Sequence, residues 1–110
     1  MFEAVRRLYI SEIRDLYDRG LVVLTQHFID NIGKRGITLA DVGSAISGGE
    51  IIEQYPDDFP HPSALLLGNP DKNPLHVVVG IGGLFLWLIT SYHPDPEKWE
   101  ADNKTRKVAN

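Results

Sequence analysis

Apolar residues in the first twenty positions recur at spacings of three and four: Phe2, Val5, Leu8, Tyr9, Ile13, Leu16 and Tyr17. That spacing predicts an amphipathic helix with one buried stripe, and Gly20 stands where a glycine stop is expected. Residues 21–25 are short and β-branched, so they read as a brief strand or an extended link. A second helix is predicted from about residue 27 to 34, with Phe28, Ile29 and Ile32 on its apolar side. Thr38 opens a third. Thr38-Leu39-Ala40-Asp41 is a capping box with Asp in place of the usual Glu, Leu39, Val42 and Ile46 form the apolar face, and Gly48-Gly49 ends it.

From residue 50 the period becomes strand-like. Strands are predicted over 50–55, 63–68, 75–81 and 84–92, separated by a loop with three prolines at 56–62 and a polar turn at 69–74. Gly82-Gly83 reads as a two-residue hairpin turn. Under that register His76 faces Ile89, and Tyr92 lies roughly 10 Å further along the hairpin. The apolar run from Leu84 to Ile89 predicts a central strand covered on both faces. Asp95 and Pro96 suit an N-cap and a first helical position, which folds Trp99 back on the sheet. The fold class is α+β: N-terminal helices packed on one face of an antiparallel sheet of about four strands. One domain covers 1–110, comprising an N-terminal helix (1–20), a core (21–100) and a flexible basic tail (101–110).

The 110 residues are enough for one domain with its own core. Cysteine is absent, which excludes disulfides and thiolate metal sites. No run reaches the ~18 apolar residues of a membrane span, and no apolar signal region follows the charged start, so a cytoplasmic location is expected. Fifteen acidic against eleven basic residues give a formal charge of −4, which argues against a global nucleic-acid footprint. The charge is uneven. Residues 41–58 hold five acids and neither Lys nor Arg, whereas Arg and Lys cluster early and in the tail.

Four histidines are the first candidates for chemistry: His27, His61, His76 and His93. None shares a metal-ligand spacing with another, so no metal or other cofactor is expected. His27 and Arg35 bracket the second helix and could supply a proton shuttle and a phosphate clamp, or be a capping histidine and a solvated arginine. His76 lies in a strand, either as a hydrogen-bonded core residue or facing a cleft. Tyr92 and His93 at a strand end suit a site, and a strand-end tyrosine equally suits the rim of a core. Glu50, Glu53, Asp57 and Asp58 read as a solvated strand edge and loop.

Several segments, taken in order, carry a resemblance. They are 27–37 (HFIDNIGKRGI), 49–53 (GEIIE), 55–58 (YPDD), 62–68 (PSALLLG), 74–79 (PLHVVV), 89–100 (ITSYHPDPEKWE) and 104–107 (KTRK). Together they resemble a family of small bacterial proteins known only as a domain of unknown function (4258), itself similar to the RelE/BrnT-like toxin superfamily. The resemblance implies a RelE-like fold with a curved sheet. It also implies the toxin of a toxin–antitoxin pair, which cleaves RNA without metal through attack by the 2′-hydroxyl. Carried over by position, His27 or His76 would be the catalytic acid or base, Arg35 would hold the phosphate and Tyr92 would orient the nucleotide; His93, beside Tyr92, is a further substrate-binding candidate. His27, Arg35, His76 and Tyr92 are expected to converge on one side of the sheet. A small zinc-ribbon or helix-turn-helix antitoxin is the implied partner, with RNA or the ribosome as the target. The chain departs from the family pattern at Asn31, in place of an Arg, and at Phe59, in place of a frequent basic residue. It also departs at His61, Ala64 and His93. Asn31, Phe59 and the acidic balance favour an alternative, a non-catalytic member that binds a protein partner.

Overall fold

Side-chain caps decide where the helices begin. The computed structural model describes residues 5–108, so Phe2 of the expected apolar stripe lies outside the described residues. Its elements are α1 (Ile10–Asp18), β1 (Val22–Leu24), α2 (Gln26–Lys34), α3 (Leu39–Gly48), β2 (Glu50–Tyr55), β3 (Ser63–Gly68), β4 (Leu75–Gly82) and β5 (Phe85–Tyr92). The expected capping box opens α3: the Asp41 N–H donates to the Thr38 hydroxyl at 3.0 Å, and the Thr38 N–H donates to the Asp41 carboxylate at 2.9 Å. Thr25 caps α2 by accepting the Phe28 N–H at 3.1 Å.

α1 starts later than its apolar stripe. Gln54 of β2 takes both backbone groups of Leu8, accepting its N–H at 2.9 Å and donating to its carbonyl at 2.8 Å. This holds residue 8 extended. Glu12 then accepts the Tyr9 N–H at 2.9 Å, and the helix begins one residue later.

The sheet has five strands in the order β1-β5-β4-β3-β2, with β1 parallel to β5 and every other pair antiparallel. The expectation of about four antiparallel strands is corrected to a five-stranded mixed sheet. Residues 21–25 read as a brief strand or a link, and three residues at 22–24 carry too little local signal to reveal a parallel pairing with 86–88, over sixty positions away. The hairpin register is also corrected. Gly82 pairs with Phe85, so the turn is Gly83-Leu84, and Gly83 takes a left-handed φ of 61°. A bulge at Ile89 shifts the register again between Val78 and Val79, and His76 faces Tyr92 directly rather than Ile89.

One face of the sheet is the main core. Ala64, Leu66, Val77, Val79, Leu86 and Leu88 meet Ile13, Phe28, Ile32, Val42, Ala45 and Ile46 from the three helices. The strands covered on both faces are β3 and β4. The apolar run in β5 is not, since Phe85 is 42% and Ile89 39% exposed. On the opposite face, residues 98–107 fold back as a small loop. The Glu100 N–H donates to the Thr105 carbonyl at 2.8 Å and the Lys107 N–H to the Lys98 carbonyl at 2.9 Å. Within 101–110, Asn103, Lys104 and Arg106 bond to His76, Glu50 and Glu53 of the strands. No described helix is long and apolar enough to cross a membrane.

α3 crosses β3 so closely that a Cβ at Gly68 would collide with Cα and Cβ of Ala45. Gly68→Ala is expected to destabilise the protein by about 1–3 kcal/mol through overpacking. Gly33→Ala, on α2 with nothing within 4 Å, should stabilise it by about 0.5–1 kcal/mol. Urea unfolding midpoints of the two variants check both signs.

Candidate functional site

The bulge in β5 and the return of the C-terminal segment assemble a polar cluster on the sheet face away from the helices. The rings of His76 and Tyr92 meet edge to face with centroids 5.4 Å apart. Trp99 closes over His76 at 4.6 Å, again nearly perpendicular. The Arg106 guanidinium lies 4.6 Å from the centre of the Trp99 ring and donates to both carboxylate oxygens of Glu53, at 2.8 and 3.0 Å. Tyr55 donates its hydroxyl to the same carboxylate, and Lys104 pairs with Glu50 at 2.7 Å.

His76 is fully buried, with 0% of its surface exposed. Its Nε2 lies 2.8 Å from the Asn103 carbonyl. A carbonyl only accepts, so Nε2 carries the proton and Nδ1 is a lone pair. Nδ1 is buried and has no hydrogen-bond partner among the described residues. Burial pushes the imidazole pKa below its ordinary value, so the ring is neutral at pH 7. Burial raises the Tyr92 phenol, with the positive charges of Arg106 and Arg35 opposing it. The Tyr55 phenol is pushed up to about 12, first by burial and then by its bond to Glu53. Arg106 holds the Glu53 carboxyl below the usual carboxylate range.

The other expected site residues lie around this cluster or apart from it. Arg35, at the C-terminal end of α2, donates to the Ser91 carbonyl at 2.8 Å and to the Thr90 hydroxyl at 3.3 Å. It therefore fastens α2 to the stretch of β5 beyond β1, close enough for its charge to act on Tyr92. His27 is exposed on the first turn of α2, where its Nε2 lies 3.0 Å from the Asn31 side-chain amide nitrogen. It stands about 12 Å from Arg35 along the helix axis. His93 is exposed, and its Nδ1 donates to the Pro74 carbonyl at 2.8 Å. Arg35, Tyr92 and His76 thus gather at one end of the sheet; His27 stands apart from them, and the His93 ring is turned to Pro74.

Sequence reasoning missed Glu53, Tyr55, Asn103 and Arg106. Glu53 reads as a solvated edge residue, yet only 21% of its side chain is exposed beneath Arg106. Nothing within a few residues of either partner signals the pairing. Among the described residues, no three His, Asp or Glu side chains gather as a metal site.

The profile of the family described as "Domain of unknown function (DUF4258)" matches residues 24–93. The chain belongs to this family. The matched stretch runs from the end of β1 to just past β5, so the DUF4258 domain supplies α2, α3, four complete strands and His76 itself. Trp99, Asn103 and Arg106 lie beyond it, so the cover over His76 in this DUF4258 member comes from outside the matched residues. No curated protein and no solved structure matches the chain.

Two measurements follow from the buried cluster. Trp99→Ala should cost about 3–5 kcal/mol of stability in denaturant unfolding, because the indole is almost fully buried. Stability should also fall with acid. The folded-state pKa of His76 lies below the reference value of 6.5, so the unfolded chain takes up the proton first as pH drops below that value. The contribution is fully present above pH 6.5 and is lost as pH falls toward the folded-state pKa. Glu53, also depressed, adds a loss below its reference value of 4.5. Urea unfolding should show lower stability at pH 5.5 than at pH 7.5, and a smaller difference in His76→Gln.

Proposed function

We propose that this DUF4258 member acts by binding a protein partner and not by turning over RNA. The observation that carries this reading is the closure of His76. A general acid or base must reach the proton it moves, directly or through one water. His76 has no exposed surface, and its one N–H is held by the Asn103 carbonyl. Arg35 supports the same reading, because one of its guanidinium nitrogens binds the β5 backbone. Asn31 stands where the family pattern has an Arg, and the net charge of −4 opposes phosphate binding. The partner in this reading is the small zinc-ribbon or helix-turn-helix protein that the family resemblance implies.

A second reading, a RelE-like toxin that cleaves RNA without metal, is favoured by one observation. Arg35, Tyr92 and His76 share one end of the sheet. In it Arg35 clamps the phosphate, Tyr92 and His93 hold the nucleotide, and His27 or His76 moves the proton once Trp99 has lifted.

Purified protein incubated with cellular RNA and ribosomes should leave the RNA intact, and induced expression should not arrest growth. Co-expression with the product of the adjacent reading frame should yield a complex that co-elutes in size-exclusion chromatography. RNA cleavage that falls about tenfold or more in His27→Ala or Arg35→Ala, with the fold intact, would establish the toxin reading instead.

A further inference from the structure

We propose that an apolar cleft on the open face of the sheet docks a bulky apolar side chain of the protein partner, with a Lys or Arg beside that side chain. This rests on the partner-binding reading and names the surface that serves it.

The cleft follows from where β4 carries no side chains. Gly80 and Gly82 lie on the open face, and the loop 56–62 descends onto them. The Ile81 N–H donates to the Pro62 carbonyl at 3.2 Å, and a Cβ at Gly82 would collide with the His61 ring. The His61 ring in turn packs on Trp87, with centroids 5.1 Å apart. Ile89, displaced by the bulge, reaches over Gly80: a Cβ there would be 3.2 Å from its Cδ1. Between loop and strand is a cleft of about 220 Å³ lined by Asp58, Phe59, Pro60, His61, Trp87 and Ile89. The indole N–H of Trp87 is already bonded to the Gly82 carbonyl at 3.3 Å, so the Trp87 wall offers carbon to an occupant.

Size and charge then select the occupant. Pockets for cofactors or drug-sized ligands measure roughly 300–1,000 Å³. This one is smaller, suited to a side chain inserted from another protein as an interface anchor. Phe59, at its lip, is 91% exposed, and Phe85 and Ile89 extend the apolar surface along β5 on either side of Trp87. A contiguous apolar patch of this kind marks an interaction surface.

The rim is acidic. Asp57 and Asp58 are exposed, and the Asp58 carboxylate is positioned by two neutral donors, the Phe59 N–H at 3.1 Å and the Ser63 hydroxyl at 2.6 Å. Glu50 and Glu53 from the same acidic stretch are paired with Lys104 and Arg106. Asp57 and Asp58 therefore set the local field, and it favours a partner segment with a cation beside its anchor over one with a carboxylate there.

The test uses three tetrapeptides, acetylated and amidated: Lys-Leu-Leu-Lys, Glu-Leu-Leu-Glu and Lys-Ser-Ser-Lys. Each is titrated into the full chain while the Trp87 indole and Ile89 methyl resonances are followed by NMR. The first peptide should shift both signals, and the other two should not. Its affinity should fall about tenfold in Ile89→Glu and in Asp58→Asn, with near-ultraviolet circular dichroism unchanged in each. Equal response to the acidic peptide, or response to the serine peptide, would overturn the proposal. So would concentration-dependent shifts without peptide, which would make a second copy of the chain the occupant. A complex with the adjacent-frame protein that survives both Ile89→Glu and Phe59→Ser would overturn the docking site and leave the partner-binding reading standing. RNA cleavage would overturn that reading even where the peptide shifts are seen.

Discussion

Everything on the open face follows from one constraint: β3 and β4 are buried on both sides, and the helices cover only one. An uncovered second face would expose Leu65, Leu67 and Val78 to water, at about 25 cal/mol for each Å² of apolar surface. Two short segments meet this demand. Residues 98–107 cover the end of β4 that bears His76, and the loop 56–62 covers the end that bears Gly80 and Gly82. Side-chain size along β4 matches the cover it receives. A ring meets Trp99 edge to face, and glycines lie under the descending loop.

The two covers are held by different chemistry. Trp99 is the buried apolar anchor of the C-terminal segment, and the rest of its attachment is polar: Arg106 on Glu53, Lys104 on Glu50, and the Asn103 carbonyl on His76. Exposed ion pairs contribute little. The bidentate Arg106–Glu53 contact, partly shielded and stacked on Trp99, fixes geometry more than it adds energy. The lone pair of His76 Nδ1 is buried without a partner among the described residues, a cost of about 1–3 kcal/mol that Trp99 burial offsets. A histidine held this way gives the cover one hydrogen bond and one edge-to-face ring contact.

The same arrangement divides the acidic stretch. Glu50 and Glu53 are taken up by the C-terminal cations, which leaves Asp57 and Asp58 as the exposed charges beside the apolar cleft. Apolar cleft and structural cover therefore lie side by side on one face, each flanked by acids that are neighbours in sequence.

The sequence by itself determined whatever depends on residues a few positions apart. The Thr38–Asp41 capping box, the α2 and α3 spans, the bounds of β2 and β3 and the turn that returns Trp99 are all legible from local spacing, because caps and periodicity act within one or two turns of chain. Of the residues expected to converge, Arg35, Tyr92 and His76 share one end of the sheet, and His27 stands apart on the first turn of α2. Only the tertiary structure decided the rest. The start of α1 depends on Gln54 reaching Leu8 across 46 positions, and the cover over His76 depends on Glu53 meeting Arg106 across 53. The Ile89 bulge, which puts His76 opposite Tyr92, leaves no mark on an apolar run whose members fit either register. Contacts that close over such separations are selected by the packing of the whole sheet, and no local propensity encodes them.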